Sequence, residues 1–438
     1  MINKIRVFLL VFISVLLLNS PDIRASEILG DSDFGNTAFS ASFIGDSVSF
    51  NQKLIGSDFE KGRLFGRRVA ISGDTAAISA WQAIPRTNKS QGVVYVFVRR
   101  EGVWIQQAKM ITAVARRKDS IIGGLAIDGD TIVAGVEDHD IGKDVNQGAA
   151  YVFTREGNNW SKKVRLEASG GRAVDLFGHS VGISGKTIII GAPGVDNYLD
   201  DEIRQAHGAA YIFTKEGDEW VERKKIQGDD KRTGAFGLDV AIDNKTAAIS
   251  VMDAVGRGVY IFSDDGTGWE KEHKLISSRF GKEQFTMAVG NHLAIDGNTL
   301  VFGGSDKGNQ SYGAAYVYTR ANGKWTRQAK LLASNGKKGD KFGWSLDISG
   351  NKIVVGSAWS NQFLGSSYLF ARKISPNKTE WVEENIITAP DGFLFDDFGG
   401  TIGISGKTIL IGASNHDFQK RNSNIGVGYI YSAGTATP

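Results

Sequence analysis

Beyond its first residues, the chain is a succession of short apolar runs separated by small clusters of Gly, Asp, Asn and Ser. The runs are rich in Val, Ile, Tyr and Phe, which predicts β-strands joined by tight turns. Helical spacing over ten or more residues is absent after residue 25. The segment from Phe177 serves as a template. It reads Phe177-Gly178, Val181-Gly182-Ile183, a Ser184-Gly185 turn, Ile188-Ile189-Ile190 and Gly191-Ala192-Pro193. After a loop come Gly208-Ala209-Ala210-Tyr211-Ile212-Phe213, another turn, and a run holding Trp220 and ending at Lys225-Ile226. That makes four strands in one unit.

The unit recurs. The Phe177 position returns at Phe65, Ile121, Phe236, Val289, Phe342 and Phe398, at separations of 56, 56, 59, 53, 53 and 56 residues. Fourteen residues after each stands a small residue: Ser79, Gly135, Gly191, Ser250, Gly303, Gly356 and Gly412. A third-strand tyrosine recurs as Tyr95, Tyr151, Tyr211, Tyr260, Tyr316, Tyr368 and Tyr429. Trp follows nine residues later at 104, 160, 220, 269 and 325, and thirteen later at 381. Three landmarks with one period define seven units.

Four-stranded units repeated radially predict an all-β, seven-bladed β-propeller of antiparallel blades. The first hairpin of each unit has a two-residue turn such as Asp128-Gly129, Asp243-Asn244 or Ser405-Gly406, because so tight a turn demands positive φ. The seventh unit stops after its third strand, at Gly428-Tyr429-Ile430-Tyr431. Upstream of the first unit, residues 47–55 form an unpartnered strand ending in Lys-Leu-Ile. These residues are expected to complete the last blade and close the ring, removing an exposed strand edge.

Phe177-Gly178 with Gly191-Ala192-Pro193 resembles the FG-GAP repeat of the integrin α-subunit N-terminal propeller, over roughly residues 45–432. The motif decays elsewhere, to Ile121-Ile122, Val289-Gly290, Gly356-Ser357-Ala358 and Gly412-Ala413-Ser414. The resemblance implies a ligand-binding face formed by the loops between second and third strands and between blades. It also implies a calcium loop between the first two strands. Calcium needs six to eight oxygens, and a two-residue turn cannot wrap an ion. No metal or other cofactor is therefore expected.

The N-terminus carries Lys4 and Arg6, an uncharged apolar run over residues 7–18, and Ala25 before Ser26. This is the layout of a secretory signal peptide (residues 1–25), with 26–44 as a lead segment and 433–438 as a tail. The mature product is expected to be secreted, extracellular or periplasmic, with no transmembrane segment, as a monomer. The chain has no Cys, so burial and hydrogen bonding must supply its stability. Its net charge of +3 falls to about +1 once Lys4, Arg6, Arg24 and Asp22 are removed, which argues against nucleic acid as a partner.

Binding residues concentrate on variable loops of a repeated scaffold. The loop at 136–147 holds Asp138, His139 and Asp140; the loop at 193–207 holds Asp196, Asp200, Asp201 and His207; the loop at 414–427 holds His416 and Asp417. Together they suggest an acidic, histidine-bearing patch, although solvated polar loops explain them as simply. Trp359 and Trp81 follow second strands, with Phe363 and Tyr198 in neighbouring loops, and could stack on a sugar ring or plug the central channel. His179 reads as a local hydrogen-bonding group. There is no Cys nucleophile, no Gly-x-Ser-x-Gly elbow and no phosphate-cradling loop. The expectation is a non-catalytic adhesion or recognition scaffold for a protein or glycan. The alternatives are a carbohydrate-active enzyme using loop carboxylates, and a purely structural envelope protein.

Overall fold

The computed structural model describes residues 48–58, 64–83, 90–114, 122–195, 207–229, 233–253, 256–276, 285–286, 292–306, 309–376, 378–416 and 425–434. The expected signal peptide and lead segment, and most of the expected tail, lie outside them. The strands form seven antiparallel sheets, six running in chain order from an inner to an outer strand and the seventh taking its outer strand from the N-terminus. The inner strands are Val69–Ser72, Leu125–Asp128, Ser180–Ser184, Val240–Asp243, Leu293–Asp296, Ser345–Ser349 and Thr401–Ser405, and they define blades 1 to 7. Each inner strand touches the next, and the last touches the first, so the ring is closed. The fold is a seven-bladed β-propeller. Blades 4 and 5 each gain a two-residue segment, Thr233–Gly234 and Phe285–Thr286, which pairs with the far end of a long second strand.

Closure runs as the sequence predicts. Val48–Leu54 pairs antiparallel with Val427–Ala433, placing Lys53 opposite Tyr429. A β-bulge lies between the third and fourth strands of all six other blades, and the closing pair has one at Phe50/Gln52. Lys53 also sits over the Tyr429 ring, as Lys109, Lys163, Lys225 and Lys274 sit over their own blades' tyrosines. The N-terminal strand thus substitutes for a fourth strand down to individual side chains.

The core consists of layers between blades. Seven apolar clusters fill the seven blade-to-blade interfaces, and the one joining blades 7 and 1 packs Leu410 and Ile430 against Val69, Ile71 and Tyr95. Close approach explains the recurrent second-strand glycine. A Cβ on Gly191 would lie 2.1 Å from the Gly237 carbonyl oxygen of the next blade, and one on Gly356 would lie 2.1 Å from that of Gly399. Ser79 and Ser250 replace this glycine just before the two blades whose Phe-Gly pair has decayed. In blade 2 the structure corrects the sequence alignment. Ile122 is the buried residue, and the Gly123 N–H bonds Gly135, as the Gly178 N–H bonds Gly191. Ile122-Gly123 therefore fills the Phe-Gly site, one residue shorter than elsewhere.

The two-residue turns form a second ring on one face. Each turn's first residue accepts a hydrogen bond from the second turn residue's N–H in the next blade, at 2.5–3.1 Å: Ser72 from Gly129, Asp128 from Gly185, Ser184 from Asn244, Asp243 from Gly297, Asp296 from Gly350, Ser349 from Gly406 and Ser405 from Gly73. The circle has seven members and no gap. This accounts for Ser or Asp followed by Gly or Asn: one supplies an acceptor, the other positive φ.

Candidate functional site

The opposite face carries the loops that enter first and third strands, and there the axis opens into a channel of about 640 Å³. That volume is in the range of small-molecule sites. Five residues past the phenylalanine position, or four in the shortened blade 2, the wall is Ala70, Ala126, Gly182, Ala241, Ala294 and Gly403, with Asp347 the exception. Higher up, Arg68, Asp239 and His292 line the wall, with His179, Leu238 and Trp344 at the mouth.

Much of this polarity braces the wall. An inner strand has one unpaired edge, and side chains of the preceding blade cap it. Ser180 donates to the Gly237 carbonyl, Ser345 to that of Gly399, and Arg68 Nε to that of Gly123 at 2.5 Å. Asp239 accepts from the N–H groups of Leu293 and Val240, and Asp347 from those of Ile404 and Ile348. Burial pushes both carboxyls up to about 7, against the lowering effect of those bonds. Burial, reinforced by the charge of Arg68, drives His292 down to about 3, so its imidazole is neutral. Burial would raise Glu137, but its bond to His179 Nδ1 and the charges of His179, Arg68 and Arg67 hold it below the usual range.

Three cations lie near the mouth. Arg67 is exposed, and neither it nor Arg68 forms an ion pair among the described residues. Lys341 Nζ lies 3.3 Å from the ring centroid of Trp359 and 4.7 Å from that of Trp344. Beside it lies an exposed aromatic platform. Trp359 (45% exposed) faces Phe363, and Phe363 stacks on Phe395 (64% exposed) at 5.0 Å. Phe393 and Leu394 are each 58% exposed. The backbone beneath is strained: Asn361, Gln362, Phe363, Phe395 and Asp397 all have φ between 51° and 70°. Left-handed non-glycine residues persist where surroundings impose them, and they cluster at binding sites.

The residues singled out from sequence fall in different settings. Trp359 and Phe363 belong to the platform. Asp138 and His139 are half-buried at the foot of their loop, where His139 packs edge-on against Tyr151 and Asp140 accepts the Asn146 N–H. Burial lowers the His139 pKa. His207 is half-buried, and its carbonyl accepts the Phe236 N–H. His416 is 1% exposed, with Nδ1 2.6 Å from Asp396 and Nε2 2.8 Å from Lys53. Asp196, Tyr198, Asp200, Asp201 and Asp417 lie outside the described residues. Among the described residues, no three His, Asp or Glu side chains gather to hold a metal ion, and no helix is long and apolar enough to cross a membrane.

Sequence reasoning missed Arg67, Arg68, Asp239, His292 and Trp344. The signal was present in the repeat itself. Two and three residues past the phenylalanine, the units read Arg-Arg, His-Ser, Leu-Asp, Asn-His, Trp-Ser and Gly-Thr, while the strands behind them barely vary.

The FG-GAP repeat family matches residues 48–97, 160–213, 325–370 and 381–431. The chain carries FG-GAP repeats. The four matches hold blades 1, 3, 6 and 7, whereas blades 2 and 5 have lost Phe-Gly and blade 4 carries Ser250-Val251-Met252 in place of Gly-Ala-Pro. No curated protein sequence matches the chain. Solved structures similar to it include the Pseudomonas aeruginosa periplasmic gluconolactonase PpgL, with 13% identity, TM-score 0.44, and coverage of 74% of this chain and 88% of that one. Another is Pyrococcus horikoshii acylaminoacyl peptidase, with 12% identity, TM-score 0.48, and coverage of 82% and 50%.

Proposed function

We propose that this FG-GAP propeller is an exported, non-catalytic recognition scaffold that binds a glycan through its loop face. The observation carrying this reading is the exposed platform of Trp359, Phe363 and Phe395, with Phe363 stacked on Phe395 and tilted against Trp359, held by strained backbone beside the channel mouth. Flat aromatic faces with polar neighbours suit sugar rings better than the interlocking apolar surface of a protein interface. Asp239 and Asp347 are both tied to backbone N–H groups of the channel wall, which gives each a structural role without any catalytic one.

The test is a glycan and protein array probed with the purified protein. Binding to a glycan that weakens at least tenfold in the double variant Trp359→Ala, Phe395→Ala is expected. Retained binding in that variant would remove the platform from the reading. Release of sugar products, abolished by a single carboxylate substitution, would replace recognition with catalysis. Export is tested separately, by finding Ser26 at the N-terminus of the secreted protein.

A further inference from the structure

We infer that the ligand is an acidic glycan, and that the channel mouth takes the carboxylate of a uronic-acid-type sugar on Arg67 and Arg68. This deepens the glycan reading and rests on it.

The charge inventory of the mouth carries the inference. The nearby carboxylates already have partners: Glu137 has His179, Asp239 has the N–H groups of Leu293 and Val240, and Asp397 has the Ser414 hydroxyl. The cations do not. Arg68 uses Nε on the Gly123 carbonyl and holds only a long 3.4 Å contact from Nη1 to the Arg67 carbonyl, which leaves Nη2 without a partner. The neighbouring residue Arg67 is exposed, and its charge acts on Arg68. Lys341, between two indoles, adds a third positive charge without an acidic partner. Glu137, Asp239 and Asp397 act on Arg68 through space without an ion pair, and burial raises the pKa of Asp239 and Asp397, so the cations keep N–H donors for an entering anion.

Planar guanidinium donors suit a planar carboxylate better than a diffuse anion, with the whole Arg67 head group and Nη2 of Arg68 available to it. The Arg68 fork is held in place by its bond to the neighbouring blade. The cavity, at roughly 640 Å³, has room for a sugar ring. Trp344 lines the same mouth, and the platform continues outward from it through Lys341 and Trp359. A chain of sugars could therefore place one carboxylated residue on the arginines and its neighbours on the aromatics.

Isothermal titration of the purified protein with three probes decides the matter: an oligogalacturonide, its methyl ester, and a short peptide with a free C-terminal carboxylate. The free acid should bind, the ester should bind at least tenfold more weakly, and affinity for the acid should fall with salt. Arg67→Ala should weaken the acid about tenfold, and Arg67→Lys should recover part of that. Because Arg67 is exposed and its side chain makes no hydrogen bond or ion pair among the described residues, the variant should melt close to the wild type. Equal binding of acid and ester would overturn the carboxylate site while leaving the glycan reading standing. Binding of the peptide alone, or of no probe, would overturn both. Unchanged acid binding in Arg67→Ala would remove the arginines from the site.

Discussion

The two faces of the propeller are built from the same seven repeats and obey opposite rules. On the turn face, seven Ser or Asp side chains grip seven neighbouring N–H groups, and almost nothing differs from blade to blade. On the loop face, equivalent positions hold arginine, histidine, leucine, aspartate or tryptophan. Closing a ring imposes one geometry seven times, so its chemistry is repeated. A ligand breaks that symmetry, so the residues that meet it need not repeat. Variation against a constant frame is therefore the mark of function here.

The largest expected effect tests the constant part. Gly191→Ala places a methyl group against the Gly237 carbonyl and forces blades 3 and 4 apart, which should cost about 3 kcal/mol or more in urea denaturation. Blade 4 supplies the internal control. Ser250 occupies the same position without such a clash, and its hydroxyl accepts the Asp239 N–H, so Ser250→Ala should cost only about 1 kcal/mol. Equal costs at the two sites would show that blade packing is not what conserves the glycine.

The channel wall lies between the faces, and its asymmetry has a pH signature. Asp239 and Asp347 have folded pKa values of about 7, against 3.8 ordinarily. Their contribution to stability is complete below pH 3.8 and is lost as pH rises towards 7. His292 works the other way: with a folded value of about 3 against 6.5, its contribution is complete above pH 6.5 and is lost on acidification towards 3. Asp347→Asn should remove one carboxylate's share. Relative to wild type, the variant should gain about 1–2 kcal/mol between pH 4.5 and 7.5, less than full linkage because channel water screens the charge. Parallel pH profiles for the two proteins would contradict this.

Smaller still is the effect of a single member of the turn ring. Ser184→Ala removes one acceptor from the Asn244 N–H at a solvent-exposed turn, where water can replace it, so the cost should be about 0.5–1 kcal/mol. The comparison would be blurred if Ser184→Ala cost as much as Gly191→Ala, since the ring would then act as a unit rather than as seven separate bonds.

The sequence disclosed what repetition enforces. The period, the tight turns and the closing strand at 48–54 were all legible because each is a geometric necessity with few chemical solutions. It did not disclose why turn residues are Ser or Asp, because the acceptor's partner lies about 54–60 residues away in the next blade. Nor did it reveal that His416 is buried against Asp396 rather than offered to a ligand. Polar residues in a loop read alike whether they point in or out. Trp359 was legible as an aromatic after a second strand, but its continuity with Phe363 and Phe395 depends on two loops meeting, with the Phe395 N–H donating to the Phe363 carbonyl at 2.8 Å.

The smallest expected change in stability is also the most diagnostic of the loop face. Phe395 has φ of 70°, a conformation that costs a phenylalanine about 1 kcal/mol relative to glycine, and its ring is 64% exposed. Phe395→Gly would relieve that strain while losing the stack on Phe363, worth about 0.5–1.5 kcal/mol. The two terms nearly cancel, so the denaturation midpoint should shift by no more than about 0.5 kcal/mol in either direction. Glycan affinity should fall at the same time, because the platform has lost its outermost ring. A loss of 2 kcal/mol or more in stability would mean that these aromatics pack the protein against itself. Near-neutral stability with lost binding would mean that the strain is maintained for a ligand.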